Sequence, residues 1–141
     1  VWRVAATVLL LSVPVQFAYF YRDYMGPYRE RSSNWYGGNL RGALLEVMRH
    51  PPASGQVYLS RSIPYGDVYW RFYSQTLATA PAAPLPLDSQ LVSEQVFAPG
   101  SKAIAAIDEP LAGVLDRAGW RRDVVVAEPG GAPAFVVFGR P

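Results

Sequence analysis

The sequence predicts the α/β fold class: one N-terminal transmembrane helix, then a small α/β domain with element order β-α-β-α-β-β and a mixed sheet. Three observations carry this reading. Val4 to Tyr21 is a run of eighteen residues without a formal charge, bounded by Arg3 and Arg22. From Gln56 onward, short and nearly continuous apolar runs alternate with helical patterns, as in strands covered on both faces. The last two apolar runs flank Glu128 to Pro133 (EPGGAP), a hairpin signal.

A spanning helix needs about 20 mostly apolar residues at 1.5 Å each, which Val4 to Tyr21 nearly supplies. One continuous helix to about Tyr24 is expected, bent if anywhere near Pro14. In a bundle, neighbouring helices can satisfy the carbonyl that a proline frees. Phe17, Tyr19, Phe20, Tyr21 and Tyr24 crowd one end, where amphipathic rings sit at headgroup level. A cleaved signal peptide and a buried core helix are the competing readings. The first wants a small-residue cleavage site, and Gln16-Phe17-Ala18-Tyr19 offers none. The chain opens at Val1 and runs directly into the apolar stretch, so the helix reads as the last span of a longer polypeptide.

The expected organisation is residues 1–24 as the transmembrane helix, 25–54 as a membrane-interface segment, and 55–141 as an extramembrane α/β domain. Arg22 to Tyr36 (RDYMGPYRERSSNWY), broken by Gly26-Pro27, reads as an interface loop. Within the same segment an amphipathic helix is expected over 39–49, because Leu40, Ala43, Leu44, Val47 and Met48 recur at helical spacing before Pro51-Pro52 ends it.

In the domain, strands are expected at 56–60, 103–107, 122–127 and 134–138, and helices at 64–77 and 109–118. Ser62 and Asp108 are the expected N-caps. Tyr65, Val68, Tyr69, Phe72 and Tyr73 form a stripe of 3.6-residue period, expected to be the main aromatic packing face. Ala78 to Leu87 (ATAPAAPLPL) reads as a linker too rich in proline for regular structure.

Composition narrows the function. With 141 residues there is room for one domain with its own core. Thirteen basic against 11 acidic residues is too small an excess to imply a nucleic-acid partner. No cysteine and a single histidine, His50, leave no thiolate or histidine-based metal site and no hydrolase triad. No cofactor is called for. The first strand-to-helix turn, Ser60 to Pro64, lacks the glycines of a phosphate-binding loop. Asp108-Glu109 is explained by capping and His50 by its helix C-terminus. The segment above background is the arginine-aromatic stretch, so no catalytic residue is assigned. Arg29, Arg31, Trp35, Asn39 and Arg41 are the candidate lipid-phosphate or interface contacts, with membrane lipid as partner. The plainer reading is that the arginines snorkel, anchor the helix and pair with Asp23 and Glu30.

Tyr19 to Val47 (YFYRDYMGPYRERSSNWYGGNLRGALLEV) and Val57 to Tyr73 (VYLSRSIPYGDVYWRFY) resemble the carboxyl-terminal region of bacterial family 39 glycosyltransferases, relatives of the dolichyl-phosphate-mannose protein mannosyltransferases. The resemblance covers residues 10 to 75 and implies a polytopic membrane transferase of the GT-C type. Such an enzyme moves a sugar from a polyprenyl-phosphate carrier to an acceptor outside the cytoplasmic membrane, using acidic residues in loops far upstream. It places this piece at the inner membrane with its C-terminal domain extracytoplasmic, non-catalytic, and meeting the donor through the missing upstream part. The excess of arginine just after the span would by itself put that side in the cytoplasm. A single-span membrane-anchored binding module is the alternative.

Overall fold

The computed structural model describes residues 2–33, 39–53, 56–75 and 82–141. Contacts divide the chain into two compact units, Val1–Tyr36 and Gly37–Pro141.

The first unit holds α1 (Trp2–Met25) and α2 (Pro27–Ser33). α1 runs through Pro14 without a break, although that residue has no N–H to offer the Leu10 carbonyl. None of its residues is buried, and it is long and apolar enough to cross a membrane. Its few polar side chains bond within the helix: Thr7 Oγ1 donates to the Arg3 carbonyl at 2.9 Å and Ser12 Oγ to that of Leu9 at 2.7 Å. That suits a medium without water to satisfy them. Gly26-Pro27 does break the chain direction, but the next element is helix α2 with Pro27 in its first turn, not the expected loop.

The second unit begins with α3 (Leu40–Arg49) and continues β1 (Val57–Ser60), α4 (Gly66–Ser74), β2 (Leu85–Leu87), α5 (Ser89–Glu94), β3 (Lys102–Ala106), α6 (Pro110–Arg117), β4 (Arg121–Ala127) and β5 (Pro133–Gly139). The five strands lie in the order β2-β1-β3-β5-β4. β1 pairs in parallel with β2 and β3, while β5 runs antiparallel to β3 and β4. The mixed sheet and terminal hairpin are as the sequence predicts.

Strand side chains alternate between two cores because successive residues point to opposite faces. Val57, Leu59, Ile104, Phe135 and Val137 meet α3 and α4 on one face. Tyr58, Ala103, Ala105, Val136 and Phe138 meet α5 and α6 on the other. With both faces covered, β1, β3 and β5 must be apolar at nearly every position, which is why they read as continuous runs. Tyr58, Phe97 and Trp120 pack edge to face in the second core, at centroid distances of 5.0 to 6.4 Å.

The structure departs from the sequence expectations in four further respects. α3, assigned to the interface segment, has its stripe Leu40, Ala43, Leu44, Val47 and Met48 buried in the first core, so the α/β unit is longer than residues 55–141. The helix expected over 64–77 is α4, 66–74, with residues 76 and 77 outside the described residues, and it packs by its other side: Trp70 is 2% exposed, whereas Tyr65 and Phe72 are 74% and 63% exposed. Gly66 lies where a Cβ would collide with Leu59, so the helix approaches β1 closely there. Leu85–Leu87 is a strand, not linker, and an unexpected short helix comes next, α5, whose N-cap Asp88 accepts from Leu91 N at 2.9 Å. Finally, the caps of α4 and α6 are Tyr65, with φ 55°, and Glu109, not Ser62 and Asp108.

Candidate functional site

The described sequence candidates are divided between the two units, Arg29 and Arg31 in the first and Asn39 and Arg41 in the second. Arg31 Nη2 donates to both oxygens of Asp23, at 3.1 and 2.9 Å, across the α1–α2 break. Arg29's side chain and Trp35 lie outside the described residues. Asn39 belongs to the second unit. It caps α3 by accepting from Gly42 N at 3.1 Å, and its Nδ2 donates to the Ala127 carbonyl at 2.9 Å, fixing α3 to β4. Arg41 lies 5.9 Å from the Tyr73 ring centroid, a cation–π contact between α3 and α4. Arg31 and Asn39 thus have local structural partners. An aromatic ladder, Phe17–Tyr21, Phe20–Tyr24 and Tyr24–Tyr28, runs along the end of α1 and across the break to α2, with centroids 5.6 to 6.1 Å apart.

The sequence did not anticipate the cluster at the carboxyl ends of β1 and β3, which is where open α/β sheets commonly place ligands. Glu109 Oε1 accepts from Ser60 Oγ, and Oε2 accepts from Ser62 Oγ at 2.6 Å and Ala106 N at 3.2 Å. Ser60 and Ser62 hydroxyls lie 3.0 Å apart. Ser60 is buried. An open groove of about 200 Å³ begins beside it, lined by Ser60, Arg61, Tyr65, Asp67, Pro84 and Pro86 among others. That is below the roughly 300 Å³ at which organic-ligand pockets begin.

Chemically the cluster is a brace. Both carboxylate oxygens are occupied by donors, and no histidine stands by either serine: His50 Nδ1 pairs with Glu46 Oε1 at 2.9 Å on α3. A nucleophile without a free base and an orienting partner has no route to activation. What Glu109 does is tie the turn after β1 to the turn after β3. Glu109→Ala is therefore expected to destabilise the α/β unit by about 1–3 kcal/mol, by leaving the buried Ser60 hydroxyl and the Ala106 N–H without their acceptor. Glu109→Gln, which keeps an acceptor oxygen, should cost less; the urea midpoints of the two variants check the order.

Among the described residues no cluster of histidine, cysteine, aspartate or glutamate could hold a metal ion. The clearest perturbed acid lies away from these places. The Arg122 guanidinium, bonded to Asp116 at 3.0 Å, holds its carboxyl below the usual carboxylate range. A lowered folded value means this contribution is present above the ordinary value of about 3.8 and lost as pH falls through the folded one. Asp116→Asn is expected to flatten the acid limb of stability slightly, because both groups are more than a third exposed. Urea unfolding at a series of acid pH values measures it.

No protein-family model, curated protein or solved structure matches this chain.

Proposed function

We propose that this chain is the carboxyl-terminal, non-catalytic part of a polytopic membrane glycosyltransferase that moves a sugar from a polyprenyl-phosphate-linked donor to an extracytoplasmic acceptor. The observation that carries the membrane part is α1: 24 residues, free of charge from Val4 to Tyr21, without a buried residue, and closed by stacked aromatics. The transferase part is supported by the resemblance over Tyr19 to Val47 and Val57 to Tyr73. The non-catalytic part is supported by the brace at Glu109, since no described serine there has a base and orienter at its disposal. On this reading the α/β unit faces outward from the inner membrane and contributes anchoring and shape, while the acidic catalytic residues belong to upstream loops.

Arg29→Ala and Arg41→Ala in the full-length protein separate donor contact from anchoring. If either arginine holds the carrier phosphate, donor KM should rise or kcat/KM fall about tenfold or more, the loss of one charged hydrogen bond at roughly 1.5–3 kcal/mol. If they anchor, yield or thermal stability falls and activity per molecule stays. Purified residues 25–141 turning over a sugar donor unaided would overturn the proposal. A coding sequence with its start just before Val1, and no upstream spans, would replace it with the single-span binding module.

A further inference from the structure

α4 has two apolar faces, of which the fold uses one. Gly66 and Trp70 are buried and Tyr73 is half-buried at positions i, i+4 and i+7, so that side seats on β1 and α3. Tyr65, Val68, Tyr69 and Phe72, at i, i+3, i+4 and i+7, are all exposed. A single exposed aromatic is ordinary; Val68, Tyr69 and Phe72 along one short helix, with Tyr65 at its N-cap, form a stripe. The charges beside it are chiefly basic: Arg71 is exposed on α4, and exposed Arg41 leans over Tyr73 from α3, against Asp67 as the nearby acid. Tyrosine and phenylalanine flanked by arginine is the composition of helices lying in the headgroup region, where rings enter the acyl boundary and guanidinium groups meet phosphate.

The chain itself says which surface is at hand. Six residues, 34–39, separate α2 from α3, and fully extended they reach about 20 Å. An α/β unit so tethered to a membrane-spanning helix meets lipid at high effective concentration, so a weakly binding face suffices. We propose that the Tyr65, Val68, Tyr69 and Phe72 face of α4 lies against the surface of a bilayer containing anionic phospholipid, with Arg41 and Arg71 at its phosphates. The proposal rests on α1 spanning the membrane.

The chain has no cysteine, so one introduced thiol can be labelled without a background. Three single variants of the full chain, Phe72→Cys, Val96→Cys and Leu10→Cys, are labelled with an environment-sensitive fluorophore. They are reconstituted into vesicles of phosphatidylcholine and phosphatidylglycerol. Val96 is 95% exposed and comes just after α5, which covers the other face of the sheet; it reports water. Leu10 reports the span. The Phe72 label is expected to emit to the blue of the Val96 label and to be quenched at least about twofold more by brominated lipid, at a depth of about 5–10 Å into the headgroup and acyl boundary. Adding Arg41→Gln and Arg71→Gln, or omitting phosphatidylglycerol, should reduce that quenching. If Phe72 behaves like Val96 while Leu10 is quenched by lipid, the span stands and the surface proposal falls. If Phe72 is shielded from aqueous iodide but not reached by brominated lipid, protein covers the face and the proposal also falls. If Leu10 is not quenched, the spanning reading fails and takes the proposal with it.

Discussion

Trp70→Ala is expected to lower the stability of the α/β unit by about 3–5 kcal/mol, whereas Phe72→Ala, two residues along the same helix, should stay within about 0.5 kcal/mol of the parent. Trp70 is 2% exposed and packs in the first core with Leu44, Val57 and Leu59, so its removal loses transfer energy and leaves a cavity that a helix seated so closely at Gly66 cannot collapse to fill. Phe72 is 63% exposed, and truncating it removes surface that water already reaches. A domain of this size shifts its melting point by about 4–8 °C per kcal/mol, so the Trp70 variant should melt more than about 10 °C below the Phe72 variant. Near-ultraviolet circular dichroism in mild detergent tracks both transitions. Equal losses would mean that α4 buries the tyrosine stripe after all, and the lipid-facing role of that stripe would go with it.

The reversed face of α4 shows where reading the sequence stops. Periodicity points to a helix here, as α4 shows, but this segment carries two interleaved apolar rows, and counting apolar residues selects the longer one. The row that packs is marked by a different signal, a glycine one turn before the largest side chain: Gly66 lets the backbone approach and Trp70 fills the space beyond. At α6 the cap is legible in the sequence, because Pro110 at the first helical position makes the residue before it, Glu109, the cap in place of Asp108. Leu85-Pro86-Leu87 is not legible locally. Proline within a strand is tolerated at a sheet edge, and only the assembled order places β2 there, pairing Pro86 with Leu59. The same holds for the candidate contacts. Arg31 meets Asp23 eight residues earlier because the chain turns at Gly26-Pro27, and Ser60 meets Glu109 across 49 residues because β1 and β3 are neighbours in the sheet. By contrast, the mixed sheet, the closing hairpin and the first helix arise from patterns contained within single segments.

For α1 the decisive experiment is one that water and lipid answer oppositely. Leu11 and Val13 sit near the middle of the charge-free run and are 67% and 60% exposed, so replacing both with arginine removes no packing within the chain. In water the double variant should be neutral or even more soluble than the parent. In a bilayer each arginine near the centre costs about 2.5–3.5 kcal/mol, and the pair, at roughly twice that, offsets much of what an eighteen-residue apolar segment gains on insertion. Expressed as this chain alone with an added start, the parent and a Leu11→Ala, Val13→Ala control are expected in the carbonate-resistant membrane pellet, and the double-arginine variant in the supernatant. Intact mass of each fraction distinguishes a retained helix from a cleaved leader, since cleavage near Ala18 would remove most of the apolar run together with Phe17. A parent chain that stays in the supernatant with its mass intact would show that α1 does not insert by itself. The exposed apolar surface from Trp2 to Met25 would then have to be covered by other protein, because a stripe-free, all-round apolar helix has no stable place in water.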